Sequence, residues 1–118
     1  LFTDNNNSKA PTERNMNISR EFKNLAVRNN IPIIDITAAT ADDISDQDNP
    51  PMMSQVAWSK AIEYDADMAM AIHRYSGTNM IEVVSRKNRH GHDFGLYLDW
   101  DINRGVVKEI YDNPFPTT

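Results

Sequence analysis

Lys87 and Arg89 are the residues of this chain best suited to chemistry. They stand two apart at the end of the run MIEVVSRK, residues 80–87. A strand continuing through them would aim both cations to one side. Two cations so placed can meet a single phosphate. Phosphoryl transfer spreads negative charge over the oxygens of the moving group, and a basic finger aimed there stabilises it. The plain alternative is a solvated basic turn. Arg86 is expected to point to the opposite face and lie on the surface, while Gly91 and Gly95 would permit a tight turn into the next strand.

Three other groups invite a chemical reading and are better explained without one. Asp65 and Asp67 flank Ala66 ahead of an apolar run, and paired carboxylates can do acid–base work. The position suits the start of a strand instead, with Asp67 bonded to backbone. His90 and His92 are two apart and His73 is remote in sequence. A zinc site needs three or four ligands in a closed geometry, so no metal site is expected. Asp99, Asp101 and Asn103 open like a calcium loop, but glycine then falls one position late and Ile110 stands where a bidentate Glu is required. A hairpin turn fits these residues better.

The elements that must position these groups follow from periodicity. Ile18, Phe22, Leu25 and Ala26 form one helical stripe, with Asn29 and Asn30 as its stop. IPIIDIT, residues 31–37, is a continuous apolar β-branched run of the kind buried on both faces of a parallel sheet. Residues 38–54 carry four aspartates, two prolines and no basic residue, so they read as a long loop. A short helix is expected over 55–65 and a buried strand over 68–73. A tight connection at Ser76, Gly77 and Asn79 leads to a strand over 80–87. GLYLDW (95–100) and VVKEIY (106–111) then make a hairpin closed by 101–105.

Composition bounds the function. The 118 residues suffice for one domain or a piece of one, and the formal charge of −5 argues against coating DNA through bulk positive charge. The absence of cysteine excludes disulfides and thiolate metal sites. No apolar run approaches a membrane span and no signal peptide is present, so no membrane association and a cytoplasmic location are expected. The first residue is Leu1 rather than methionine, which leads us to expect a fragment or processed product.

Three blocks now carry a family likeness. FKNLAVRNNIPII (22–34) resembles the helix-to-strand segment after the Walker B strand of DnaB-type replicative helicases, including phage relatives. SKAIEYDADMAMAIHR (59–74) is similar to the family's next block, and KNRHG (87–91) to its Lys-x-Arg-x-Gly motif. The blocks occur in family order over roughly residues 18–110. The resemblance implies an α/β fold, the C-terminal portion of a RecA-like P-loop ATPase. Its sheet should be mainly parallel with a C-terminal antiparallel hairpin, and 31–37 and 68–73 should be its central strands. Residues 1–14 would be a flexible segment, 15–112 the partial core and 113–118 a tail.

By the same resemblance the full-length protein is an ATP- and Mg2+-using DNA helicase, a homo-oligomer (a hexamer) acting on single-stranded DNA. Lys87 and Arg89 would be a finger to the neighbouring subunit's ATP, with Thr37 and Asp67 at the nucleotide's edge. The P-loop is absent from these residues, so this piece alone is expected to bind no cofactor, to hydrolyse no ATP and to bind single-stranded DNA weakly or not at all. Two positions depart from the family: Ala38 stands where a Gln is usual, and residues 40–51 are acidic where DNA contacts are usual. Other readings are a recombinase or KaiC-like ATPase, or a non-catalytic assembly module.

Overall fold

A computed structural model describes residues 11–39, 49–56 and 59–111. The first helix, α1, runs Pro11–Asn29. It therefore starts inside the stretch expected to be flexible, since proline is tolerated in a first helical turn, where its missing N–H has no helical partner to lose. Residues 1–10 and the expected tail at 113–118 lie outside the described residues. Glu13 in the first turn and Arg28 in the last match the helix dipole. The stripe Ile18, Phe22, Leu25 and Ala26 is half-buried, and α1 packs against α2, Ser59–Asp65. The stop is the expected one. Asn30 takes φ 51°, Ile31 N donates to Ala26 O (3.1 Å) and Asn30 N to Val27 O (3.4 Å). This pair of bonds is the Schellman ending of a helix.

Four strands follow: β1 Met68–Arg74, β2 Met80–Asn88, β3 Gly95–Asp101 and β4 Val106–Ile110. They form one sheet in the order β1-β2-β3-β4, and every neighbouring pair is antiparallel. The expected hairpin over 95–111 is present. The expected mainly parallel sheet is not found among the described residues. The connections explain this: residues 75–79, 89–94 and 102–105 are too short to carry a chain back for a parallel pairing, which needs a crossover of about a dozen residues or more. Gly77 (φ +71°) and Gly105 (φ +65°) supply left-handed backbone in the first and third of these turns.

Residues 31–37 are a second correction. They form no strand, and the one bridge nearby joins Ala39 to Val56. A strand covered on both faces needs neighbours, and none lies alongside among the described residues; Ile34 and Ile36 are 87% and 92% exposed. The 68–73 run is a strand, as expected, but it stands at the edge of the sheet rather than the centre. The helix expected over 55–65 is shorter: Met53–Gln55 is a 3₁₀ turn and α2 begins at Ser59. Among the described residues no helix is long and apolar enough to cross a membrane.

The β1–β2 ladder shifts register between Ala69 and Met70, whose partners are Lys87 and Ser85. Arg86 is thus the extra residue of a β-bulge, a device that re-aims side chains. It does not lie free on the surface as expected. Its Nε donates to Pro51 O (2.9 Å) and its Nη2 to Pro50 O (3.0 Å), pinning the segment that leads into α2. Charged hydrogen bonds of this kind are worth roughly 1.5–3 kcal/mol each when solvent is excluded, and less here, where the guanidinium is only part-buried. Arg86→Ala is therefore expected to loosen this segment selectively. Hydrogen exchange should accelerate at the Gln55 and Val56 amides, which bond to Met52 O and Met53 O, and little at the β2–β3 ladder. Uniform acceleration across the sheet would contradict a local pin.

Candidate functional site

The corner between α2 and β1 gathers the charged groups. On α1, Ser19 and Arg20 stand four and three residues before Lys23, which puts both on its side of the helix. Ser19 Oγ donates to Asp65 Oδ2 (3.0 Å) and Arg20 Nε to Asp65 Oδ1 (2.9 Å). Asp65 is 8% exposed, so its charge is compensated where water cannot do so. One turn later on α1, Lys23 Nζ donates to Asp67 Oδ1 at 2.7 Å. The same oxygen accepts Arg89 Nη1 at 2.8 Å.

Lys87 and Arg89 converge on this corner. The last carbonyls of a helix lack intrahelical partners and carry its negative end. Lys87 Nζ donates to Glu63 O, and Arg89 Nη2 donates to Tyr64 O at 3.1 Å, so the pair is anchored on consecutive carbonyls at the end of α2. Arg89 lies just past β2, in the turn, and its backbone N also donates to Asp67 O (2.9 Å). The same-side placement expected from spacing is met by these contacts. Gly91 contributes space rather than a left-handed backbone: a Cβ there would lie 2.9 Å from Asn88 Nδ2, which donates to His92 O and closes the turn.

The two cations line an open cleft with Arg20, Lys23, Arg28 and Lys60, and with the carboxylates of Glu63 and Asp65. Six cations against two carboxylates make this a positive site on a chain of net charge −5. Arg28 and Lys60 form no ion pair among the described residues. Cations so grouped can attract an anion such as a phosphate.

The other expected positions separate. Thr37 is exposed in the segment after α1 and does not line the cleft. Asp67 adjoins the cleft, but through Lys23 and Arg89 side chains rather than through the backbone bond expected for its carboxylate. His90 and His92 are exposed, and among the described residues no three His, Asp or Glu side chains are grouped to hold a metal. Asp101 serves the β3–β4 turn, accepting Arg104 N at 3.3 Å. The acidic stretch 40–48 lies outside the described residues. Sequence reasoning missed Lys23, Arg20 and Ser19. Their spacing on one helix face was the available signal, but nothing local says that aspartates more than forty residues away will meet them.

The family described as DnaB-like helicase C terminal domain matches residues 1–104. The "Probable plasmid replicative DNA helicase" of Chlamydia trachomatis serovar L2 is 36% identical over 85 residues, covering 71% of this chain and 19% of that protein. The "Replicative DNA helicase DnaC" of Bacillus subtilis strain 168 is 33% identical over 81 residues, covering 63% and 18%. The chain thus spans about a fifth of the length of the curated relatives it matches. A solved structure of an ATPase domain superposes with TM-score 0.81 at 23% identity, covering 92% of this chain and 40% of that one. The fold is shared with that ATPase domain.

The Asp67 network has a pH signature. The Lys23 hydrogen bond, joined by the charges of Lys23, Arg89 and His90, outweighs slight desolvation and holds the Asp67 carboxyl below its ordinary 3.8. A group depressed on folding contributes stability that is present above its unfolded pKa and lost as pH falls through the folded value. The link between α1 and β1 should therefore persist at pH 3.8 and fail below it. Carboxyl carbon NMR of Asp67 should show a midpoint under 3.8, and Lys23→Met should raise it more than Arg89→Gln does. An unmoved midpoint in Lys23→Met would rule out the contact.

Proposed function

The chain belongs to the DnaB-like helicase C-terminal domain family, and we propose that it works within a full-length, ATP-driven replicative DNA helicase. In that reading Lys87 and Arg89 are a basic finger to ATP held by a neighbouring subunit. The observation that carries it is their convergence: both are anchored on the end of α2, at consecutive carbonyls, in a cleft of cations. No Gly-rich phosphate loop occurs in these residues, so the phosphate they meet is held by another segment, which the reading assigns to the adjacent subunit of a homo-oligomeric ring, a hexamer. The family match favours this over a recombinase or a KaiC-like ATPase.

The donor set fits the phosphates of ATP. Lys87 supplies a compact charge and Arg89 a planar fork of N–H donors matched to phosphate oxygens. ATP supplies the cleavable phosphoanhydride. These side chains contribute a preformed positive field where its charge develops, at no cost of reorganisation during the reaction. The described residues group no three acidic or histidine side chains that could hold Mg2+. Asp65 is committed to Ser19 and Arg20, and Asp67 to Lys23 and Arg89. Thr37 would meet the nucleotide of its own subunit. Single-stranded DNA would be contacted elsewhere in the full-length protein, since the acidic 40–51 segment offers no cation to a phosphate backbone. The location is the cytoplasm of a bacterium or a phage-infected host.

In the full-length protein, Arg89→Ala should lower ATP turnover by on the order of a thousandfold, the low end of what a trans arginine finger supplies. Arg89→Lys should recover part, and nucleotide binding should change far less. Mixing decides between this reading and a non-catalytic module. Arg89→Ala subunits combined with P-loop-defective subunits should regain activity, because a mixed interface pairs one intact loop with one intact finger. Unchanged turnover in Arg89→Ala, or no recovery in rings shown to be mixed, would reject the finger.

A further inference from the structure

A finger must be held in position as well as charged, and the structure shows what holds this one. We propose that Asp67, itself fixed by Lys23, is a positioning residue that clamps the Arg89 guanidinium with its remaining donors free toward the cleft. The inference rests on the finger reading above and adds two residues to it.

A guanidinium carries five N–H groups in a rigid plane. Arg89 commits one Nη1 donor to Asp67 Oδ1 and one Nη2 donor to Tyr64 O. Its other donors make no hydrogen bond among the described residues, and its side chain remains 40% exposed while held. Two contacts on one edge fix the plane, and the backbone bond from Arg89 N to Asp67 O fixes the base of the side chain. Tethering at the edge leaves the rest of the fork available to an anion. A sequestering contact would bury the fork instead.

Lys23 is the second part. Asp67 is 51% exposed, and an exposed ion pair adds little to stability because water competes for both partners. A lone Asp67 would also rotate freely. Lys23, only 26% exposed and rooted on α1, binds the same oxygen that Arg89 uses and restricts where that oxygen can be. Its charge also keeps Asp67 compensated if Arg89 shifts toward a phosphate. The use of this cluster therefore lies in orientation, and misplacing a catalytic group by about an ångström can cost a hundredfold in rate.

The test uses the full-length helicase and reads kcat and KM for ATP in assembled rings. Asp67→Ala should lower kcat roughly tenfold to a hundredfold and leave the nucleotide KM within about twofold, because the ground-state phosphate cradle is untouched. Asp67→Asn, which retains an accepting oxygen, should recover part of the loss, and Lys23→Met should show a smaller fall. In an Arg89→Ala background, Asp67→Ala should cost nothing further, since the residue it positions is gone. Wild-type or faster turnover in Asp67→Ala, beside an impaired Arg89→Ala, overturns the clamp and leaves the finger standing. An equal loss in the Arg89→Ala background also overturns it, by showing a merely structural role. Wild-type turnover in Arg89→Ala removes the finger and the clamp together. If Asp67→Ala fails to assemble, Lys23→Met and Asp67→Asn decide by the same comparison in the Arg89→Ala background.

Discussion

Two carboxylates at the corner between α2 and β1 hold this structure in its working shape. Beyond the sheet ladder, the described residues bury little apolar surface to do it with. Their deeply buried apolar side chains are Ala61, Ala71 and Ile81, and no large side chain is fully buried. Apolar burial contributes in proportion to area removed from water, and here that area is small. Asp65 therefore matters beyond its size: buried, and bonded to Ser19 and Arg20, it ties α1 to the last residue of α2. Arg20 also lies 5.6 Å from the Tyr64 ring centroid, a cation–π contact that keeps the guanidinium over the same corner. Asp67 repeats the device two residues on and hands it to Arg89. One corner thus joins helix to sheet and orients the cations that the functional reading depends on.

What was legible in the sequence was local. The stripe on α1, its stop at Asn29 and Asn30, the turn at 76–79 and the hairpin closed by 101–105 each follow from residues a few positions apart. The same-side placement of Lys87 and Arg89 was legible too, although the chain reaches it through a bulge and a turn rather than through an unbroken strand. Sheet direction could have been read from the same turns. Strands separated by 75–79, 89–94 and 102–105 can only return antiparallel. The apolar character of 31–37 outweighed that consideration wrongly, because apolarity says that a segment would be buried if neighbours existed, not that they do. Arg86 was misread because a bulge breaks the two-residue alternation on which facing was judged. The α1 partners of Asp65 and Asp67 were invisible because those contacts span more than forty residues.

Charge shows the same contrast between average and arrangement. A formal charge of −5 describes the whole chain and says little about one surface of it. Four of the aspartates fall in 38–54, while six cations line a single cleft. Segregation of this sort focuses a field where an anion would sit, and composition cannot report it.

The edge of the sheet carries a consequence of a different kind. Among the described residues β1 has a partner on one side only, and its outward-facing Met70 and Ile72 are 53% and 66% exposed. An unpaired strand with apolar side chains is a template on which another extended chain can add. The exposed Ile34 and Ile36 lie on a segment that joins no strand among the described residues, and it has the β-branched character to be that chain. Strand addition is bimolecular, so it grows with the amount of protein in the tube. Any such addition would therefore rise with protein concentration, and the net negative charge would oppose it most at low ionic strength.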